Sequence, residues 1–324
     1  MEKEGERMMQ RKCGTHTGAV AGVIEALLLV ALVAIVISVI QLVYIPQVME
    51  QREAEHMDQV FNQFSSLKSM MDMQTMTRSS SPIFSMITLG SRELPYLITA
   101  RAYGDLRVNE QVAYYITTYD PNRIKDTLNG VTLVYPPFPS GVLFQSGEVP
   151  LTSIEYEASN SYFINQEYIL EGGGIIVNQS NGLPVMRANP SISAVYESQS
   201  NLIKIHFDLP IPIGMRAKND TNGDGNCFIR TNYSSNVTYS YQTDKSAFQD
   251  DDIKIYTKYL NAWNESLYDI LGYYINNSNI AVKIVSGHPG YIEIKPSSGL
   301  NAKDILLELD LKNIYVQIGP GWIK

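Results

Sequence analysis

The apolar residues of this chain are concentrated in one block near its N-terminus. Residues 18–45 contain a single charge, Glu25, and two other polar side chains, Ser38 and Gln41. A helix needs roughly 20 apolar residues to cross a bilayer core of about 30 Å. Residues 26–45 alone supply that length. We therefore predict a transmembrane helix over residues 15–46.

A second helical pattern follows the apolar block directly. Neither Gly nor Pro occurs from residue 47 to residue 76, and apolar side chains recur at spacings of three and four. The recurring residues are Met57, Val60, Phe61, Phe64, Leu67 and Met71. The pattern predicts an extracellular amphipathic helix over residues 47–78, kinked at Pro46 and ended by residues 77–82. Its apolar face needs a partner, which is either this chain's own domain, helices of other chains, or both. We expect part of this apolar face, between Pro46 and Met57, to stay exposed.

The hydrophobic period changes to two beyond residue 82. Residues 153–157, 202–207, 291–295 and 313–318 alternate, and Gly, Pro, Asn and Ser separate such runs. One stretch, at about residues 250–275, has helical spacing instead. The predicted fold class is therefore α+β. The long N-terminal transmembrane helix extends into an antiparallel, β-sandwich-like extracellular domain over residues 79–324, which contains one additional helix.

Composition excludes several classes of protein. The chain has 324 residues, 25 Lys and Arg and 33 Asp and Glu, for a net charge of −8. This acidic balance argues against a nucleic-acid partner, which would favour a basic surface. The two cysteines, Cys13 and Cys227, are too few for a disulfide framework.

The cations beside the apolar block predict its direction across the membrane. Four of them precede the block: Lys3, Arg7, Arg11 and Lys12. In the first turns after it, Arg52 stands among Glu50, Glu53, Glu55 and Asp58. The positive-inside rule then places the N-terminus in the cytoplasm and the β-rich domain outside. We expect a single-pass protein of the cell membrane.

The residues just before the apolar block predict a processing site. Arg11 and Lys12 are followed by Cys13 and Gly14, a small residue at the edge of the apolar run. Cleavage after Gly14 would remove residues 1–14 as a basic cytoplasmic leader and make Thr15 the first residue of the mature chain. An uncleaved signal anchor has the same basic flank and is the alternative.

The single charge of the membrane segment, Glu25, has two interpretations. A carboxylate in hydrocarbon costs several kcal/mol unless it is paired, protonated or near the interface. Glu25 either lies near the membrane edge, where its side chain reaches the interface, or contacts a neighbouring helix, for example another chain's N-terminal amine. Gly18, Ala21 and Gly22 are small enough to permit close packing between helices.

Two kinds of surface site are suggested by short motifs. Six Asn-x-Ser/Thr sequons predict glycosylation: Asn178, Asn219, Asn232, Asn236, Asn264 and Asn276. Residues 220–226 place oxygen-bearing side chains at alternate positions, with Gly at the sixth, as a calcium loop does. The candidate ligands are Asp220, Asn222, Asp224 and Asn226. The twelfth position is Thr231 instead of a bidentate Glu, and the segment is also good turn chemistry, which we favour.

Motifs of known catalytic sites do not occur in the sequence. It contains no phosphate-binding loop, no Gly-x-Ser-x-Gly and no His-Glu-x-x-His. Residues 171–174, Glu-Gly-Gly-Gly, predict a turn. We expect no catalytic residues, and no cofactor other than the weak calcium candidate.

The N-terminal region, residues 11–70, resembles an archaeal type IV pilin or archaellin-like protein. The resemblance lies in the order of the basic pair, Gly14, the apolar helix with its carboxylate, and the amphipathic extension. It implies that a prepilin-type peptidase cuts between Gly14 and Thr15, and that the apolar helices associate in a filament core. Glu25 would be the membrane carboxylate, at the eleventh mature position instead of the fifth position of bacterial pilins.

The resemblance implies a function in cell-surface structure. The domain of about 240 residues is large for a pilin and favours a minor pilin, a tip protein or a non-polymerising relative. We expect a membrane-anchored surface protein, structural or adhesive, that associates with itself or with other pilin-like subunits. The alternative is a membrane-anchored extracellular enzyme or solute-binding domain.

Overall fold

The computed structural model describes residues 17–91, 102–110, 115–118, 148–215, 218–243, 252–287 and 290–319. The chain divides into two compact units, Met1–Glu50 and Gln51–Lys324. The described part of the first unit is helical. In its described part, the second unit combines most of one long helix and a second, shorter helix with three β-sheets, so the fold class is α+β, as predicted.

The first helix, α1, spans Thr17–Val39 and is followed by a π-helical segment, Ile40–Tyr44. Among the described residues, one helix is long and apolar enough to cross a membrane, and its most apolar window has a mean hydropathy of 3.1 with no residue buried. The irregularity lies just before Pro46, whose missing N–H and bulky ring disturb the preceding turn. The helix continues beyond Pro46, as predicted.

The second helix, α2, spans Ile45–Thr77. It ends where the sequence predicts, because Arg78 takes a left-handed φ of 51° and Ser79 N–H bonds back to the Gln74 carbonyl at 3.1 Å. A left-handed residue with a backward hydrogen bond is a common way to end a helix.

Sixteen strands form three sheets within the described residues. Sheet A contains, in spatial order, β1 (Ile83–Thr88), β12 (Asn226–Gln242), β16 (Asp304–Ile318), β10 (Leu202–Gly214) and β9 (Ser191–Glu197). Sheet B contains β11 (Asp220–Gly223), β2 (Tyr103–Asn109), β5 (Ser153–Ser159), β6 (Gln166–Glu171), β7 (Gly174–Gln179) and β8 (Val185–Ala188). Sheet C contains β14 (Ile280–Val285), β15 (Tyr291–Pro296), β13 (Ile253–Tyr256), β3 (Tyr115–Thr118) and β4 (Glu148–Pro150).

The pairing of the strands departs from the prediction at one place. Strands β10 and β16 are parallel over a long register, from Leu202 opposite Asp304 to Gly214 opposite Val316. The other described pairs are antiparallel. The expectation of a purely antiparallel domain is therefore wrong, because alternation along a strand reveals its buried face but not the direction of its neighbour.

The apolar stripe of α2 forms one core with sheets A and B. Met57, Val60, Phe64, Leu67 and Met71 are fully buried and pack with inward side chains of both sheets. Burying a side chain of this size stabilises the fold by roughly 1.5–3 kcal/mol. The stripe therefore has its partner within this chain. The exposure that we expected before Met57 is wrong for residues 53, 56 and 57, which are buried.

A second core is formed by a third helix, α3 (Leu260–Asn276), together with sheet C, inward side chains of β10 and β16 in sheet A, and residues of β6 and β7 in sheet B. Trp263, Leu267 and Leu271 of α3 are fully buried there. The predicted helix at about residues 250–275 is thus wrong at its start, because Ile253–Tyr256 is strand β13. Ile253 and Ile255 alternate with less buried neighbours, which is strand periodicity.

Candidate functional site

A buried carboxylate fixes α2 against the turn between β5 and β6. The side chain of Glu53 is fully buried and accepts backbone N–H groups of Ser161 at 3.1 Å, Tyr162 at 2.7 Å and Phe163 at 2.6 Å. Hydrogen bonds to an ionised acceptor are about twice as strong as neutral ones. The sequence suggested that Glu53 belongs to the polar face of the helix, so this contact was not foreseen.

His56, one turn further along α2, contacts the end of β1. It is 5% exposed, and its Nε2 lies 2.9 Å from the carbonyl oxygen of Thr88. Burial lowers the pKa of His56, opposed by that backbone hydrogen bond and by the charge of Glu53. A neutral imidazole that donates from Nε2 leaves Nδ1 as an acceptor, and Nδ1 has no partner among the described residues.

Two glutamines of α2 complete the contact with Thr88. Gln63 Oε1 accepts the Thr88 N–H at 2.9 Å, and its Nε2 donates to the Thr88 hydroxyl at 3.0 Å. Gln59 Nε2 donates to the same hydroxyl at 3.2 Å. Because both backbone groups of Thr88 bond to α2, this residue faces away from β12. The helix therefore satisfies the edge of sheet A at this point.

An open groove of about 970 Å³ lies beside these contacts. Its lining residues come from α2, from β1 and the residues after it, and from the turn before β12: Arg52, Glu55, His56, Gln59, Met86, Thr88, Gly90, Ser91, Asp224, Gly225 and Asn226. The groove has both cationic and anionic side chains, and Met86 adds an apolar surface to it. Such a lining is typical of a polar contact surface more than of an enclosed small-molecule pocket.

The predicted calcium ligands are split by the fold. Asp220 and Asn222 lie on β11, opposite Arg107 and Asp105 of β2, whereas Asp224 and Asn226 line the groove. Within the described ranges, no group of three or more His, Cys, Asp or Glu side chains is placed to hold a metal. Residues 220–223 form strand β11, and Asp224 and Gly225 connect it in sheet B to β12 in sheet A, so the favoured turn is limited to these two residues. Calcium binding itself stays a prediction.

The six sequons differ in accessibility. Asn219 and Asn276 are exposed, whereas Asn178, Asn232, Asn236 and Asn264 are partly buried. The Nδ2 group of Asn178 also donates to Glu167 at 2.9 Å. Glycosylation stays a prediction, and the geometry favours the two exposed sites.

Of the predicted membrane and processing residues, Glu25 lies within the part of the chain that the structure describes. Gly14 and Thr15 lie outside the described residues. Glu25 lies on α1 with its side chain exposed, as do its neighbours from residue 21 to residue 44. Glu25 is eight residues beyond the described start of the helix at Thr17.

A second buried carboxylate, Glu171, was missed because the sequence marks it only as the start of a turn. Its Oε1 accepts the Thr257 hydroxyl at 2.7 Å and the Trp263 indole N–H at 2.7 Å. Burial raises the pKa of Glu171 to about 7, aided by the charge of Glu155 and opposed by these hydrogen bonds and by Lys258. The turn itself is confirmed, since Gly172 and Gly173 have φ of 55° and 80°.

Two tyrosines with raised pKa values are also enclosed by protein. The Tyr156 hydroxyl donates to the Leu89 carbonyl at 2.7 Å, and burial raises its pKa. Burial likewise raises the pKa of Tyr168 to about 12, and its hydroxyl is bonded to the Met57 carbonyl and to Gln166. These groups hold the core of the domain together and do not face an open cavity.

Comparison with models of known protein families, with curated protein sequences and with solved structures gave no match to this chain. The pilin-like interpretation therefore rests on the arrangement of residues 11–70 alone.

Proposed function

We propose that this chain is a single-pass, membrane-anchored surface protein of pilin-like architecture, whose β-rich domain is structural or adhesive and has no catalytic activity. The observation that carries the proposal is the exposure of every residue from 21 to 44 on an almost wholly apolar helix. A contiguous apolar surface of that size is not stable in water and requires lipid or other helices around it.

The position of this helix in the chain supports display of the domain at a surface. The apolar helix is followed in sequence by α2, whose stripe from Met57 to Met71 is part of the domain's core. In sequence, no residue separates the π-helical segment that ends at Tyr44 from α2, which begins at Ile45. The four cations before the apolar block support an N-terminus in the cytoplasm and a domain outside.

Association with other subunits, in this proposal, runs through the apolar helix. The stripe of α2 has its partners within the domain, so it offers no surface to a neighbouring chain. Gly22 of α1 has nothing within 4 Å of the position of an added Cβ, and together with Gly18 it forms a pair of small residues four apart. Small residues at this spacing let membrane helices approach closely.

The burial of two titratable groups supports a domain without catalytic activity. Glu171 and Tyr156, whose pKa values are shifted, are buried and bonded to protein atoms. The groove beside α2 is open and carries charged side chains, whereas solute pockets are usually enclosed and mostly apolar. Both features weaken the alternative of an extracellular enzyme or solute-binding domain.

Cross-linking in membranes tests the proposed association. The variant Gly22→Cys, in a chain with Cys13→Ser whose remaining native cysteine, Cys227, is buried, should yield disulfide-linked multimers on mild oxidation. Leu300→Cys in the same background, at a fully exposed position of the β-rich domain, is the matched control and should stay monomeric. Monomers alone from Gly22→Cys would leave an anchored domain that does not associate.

N-terminal sequencing of the protein from the membrane fraction tests the proposed processing. The expected mature chain begins at Thr15, and a bulky substitution of Gly14 should leave the longer precursor. Recovery of Met1 would show an uncleaved signal anchor and remove the peptidase from the proposal.

A further inference from the structure

The outer edge of strand β1 is open to a further strand at Phe84 and Met86, whereas α2 occupies it at Thr88. β1 is the terminal strand of sheet A and pairs on one side with β12. Thr88 directs both of its backbone groups away from β12, towards α2. Backbone direction alternates along a strand, so the N–H and C=O groups of Met86 and Phe84 also point away from β12. The described residues provide no hydrogen-bond partner for these four groups.

A second cavity lies beside this open edge. It measures about 480 Å³ and adjoins the larger groove, with which it shares Glu55, Gln59 and Met86. One wall is β1 from Phe84 to Met86, and the other is the polar face of α2. Six residues of β1 extend over about 20 Å, at roughly 3.3 Å per residue, so the space beside them is elongated.

The side chains around the edge have a definite chemical character. Phe84 and Met86 project from the outer face of the sheet and are 59% and 41% exposed. On the α2 side lie the carboxylates of Glu55 and Asp58, both exposed. Neither carboxylate forms an ion pair within the described part of the chain. The edge therefore presents the apolar side chains of Phe84 and Met86 on one side, with the Arg230 guanidinium 5.6 Å from the centre of the Phe84 ring, and negative charge on the other.

We propose that the β1 edge is a docking site for an extended peptide segment of a partner protein, which adds to sheet A as an extra strand. Side chains of an added strand alternate between the two faces of a sheet. Those on the outer face would lie beside Phe84 and Met86 and should be apolar. Those on the other face would lie over Glu55 and Asp58 and should be Lys or Arg. The partner segment is thus an alternation of apolar and cationic residues. This inference does not depend on membrane anchoring.

A synthetic peptide tests the proposal on the unmodified protein. The probe is fluorescent Lys-Val-Lys-Val-Lys-Val-Lys, with blocked ends, added to the full chain in non-ionic detergent and followed by fluorescence anisotropy. Saturable binding is expected. The peptide with Glu in place of Lys should not bind. Two further peptides carry N-methyl groups on either the odd-numbered or the even-numbered backbone nitrogens. The one whose methylated nitrogens face β1 should bind about tenfold more weakly, because it lacks the N–H donors of the added strand.

Variants of the protein locate the site. Asp58→Asn should weaken binding about threefold, as expected for an exposed charge pair, and Glu265→Gln on the exposed face of α3 should not change it. Met86→Pro removes an outward N–H that the pairing with β12 does not use, and should abolish binding while thermal unfolding stays near that of the wild type.

The proposal is overturned by two results. One is the absence of saturable binding of the lysine peptide at millimolar concentration. The other is that neither of the two N-methylated peptides binds more weakly than the unmethylated one, which would show attraction to the acidic surface without strand pairing. Since the methylated peptides are tested on the wild-type chain, a folding defect of Met86→Pro leaves this comparison intact.

Discussion

The indole N–H of Trp263, on α3, donates a hydrogen bond of 2.7 Å to the buried carboxyl group of Glu171, at the end of β6. The same oxygen accepts the Thr257 hydroxyl, so one carboxyl group joins sheet B to α3 and to the loop before it. Burial raises the pKa of this carboxyl to about 7 from an ordinary 4.5. The contact between sheet B and α3 is therefore sensitive to pH.

Stability should fall as pH rises through this range. In the folded chain Glu171 binds its proton more tightly than in the unfolded chain, so its contribution is complete below about pH 4.5 and is lost as pH passes about 7. At about 1.4 kcal/mol per pKa unit, the loss is about 3 kcal/mol. The variant Glu171→Gln mimics the protonated form and should lack this dependence.

Urea unfolding of the wild type and of Glu171→Gln in detergent, followed by tryptophan fluorescence, measures the difference in stability at pH 5 and pH 8. The variant should gain relative to the wild type at pH 8 and lose that advantage at pH 5. Other titrating groups, such as Asp252, contribute equally to both chains and cancel. An equal difference at the two pH values would contradict the assignment to Glu171.

The carboxylate of Glu53 should be essential for the docking of α2. Glu53→Ala leaves the N–H groups of Ser161, Tyr162 and Phe163 without their acceptor in a buried turn. We expect the free energy of unfolding to fall by about 2–4 kcal/mol. The exposed Glu55, on the same helix, is the control, and Glu55→Ala should change the free energy by less than about 0.5 kcal/mol. Similar losses from the two variants would refute the special role of Glu53.

Two glycines should respond to alanine in opposite directions. Gly172 has a left-handed φ of 55°, and an added Cβ would lie 2.8 Å from Cη2 of Trp263. Gly172→Ala should therefore destabilise the domain by about 1–3 kcal/mol. Gly272 lies within α3 with nothing within 4 Å of an added Cβ, so Gly272→Ala should stabilise it by about 0.5–1 kcal/mol. Thermal melting of the two variants beside the wild type checks the signs. A loss of stability in both variants would contradict the open space that surrounds Gly272.

The elements that sequence predicts well are those with a clear period. The helical spacing from Met57 to Met71 predicted both α2 and its buried face, and the alternations at residues 153–157 and 313–318 correspond to β5 and β16. In α2 the buried face repeats at helical spacing, so local order reveals it. Strands β5 and β16 are buried on both faces over most of these alternating residues, which the alternation does not indicate. The short alternation of Ile253 and Ile255 was hidden because it adjoins a true helix at a compatible spacing.

The contacts that sequence does not predict are those between distant residues. Glu53 lies more than 100 positions from the turn that it binds, and Glu171 lies 92 positions from Trp263. Nothing in the local pattern distinguishes a carboxylate buried with partners from one on a solvated face. The parallel pairing of β10 with β16 was missed for the same reason, since both strands read alike whichever direction their neighbour runs.

Labelling of the β-rich domain from outside the cell is the most direct test of membrane-anchored display. Leu300→Cys, in a chain with Cys13→Ser, places one reactive thiol on the exposed surface. The remaining thiol, Cys227, is buried and its pKa is raised, so it should not react. A membrane-impermeant maleimide is added to intact cells, and a cytoplasmic thiol protein serves as the control for leakage. The account predicts that the variant, recovered from the membrane fraction, is labelled before the cells are lysed while the control protein is not. Labelling that requires lysis, or recovery of the chain outside the membrane fraction, would contradict it.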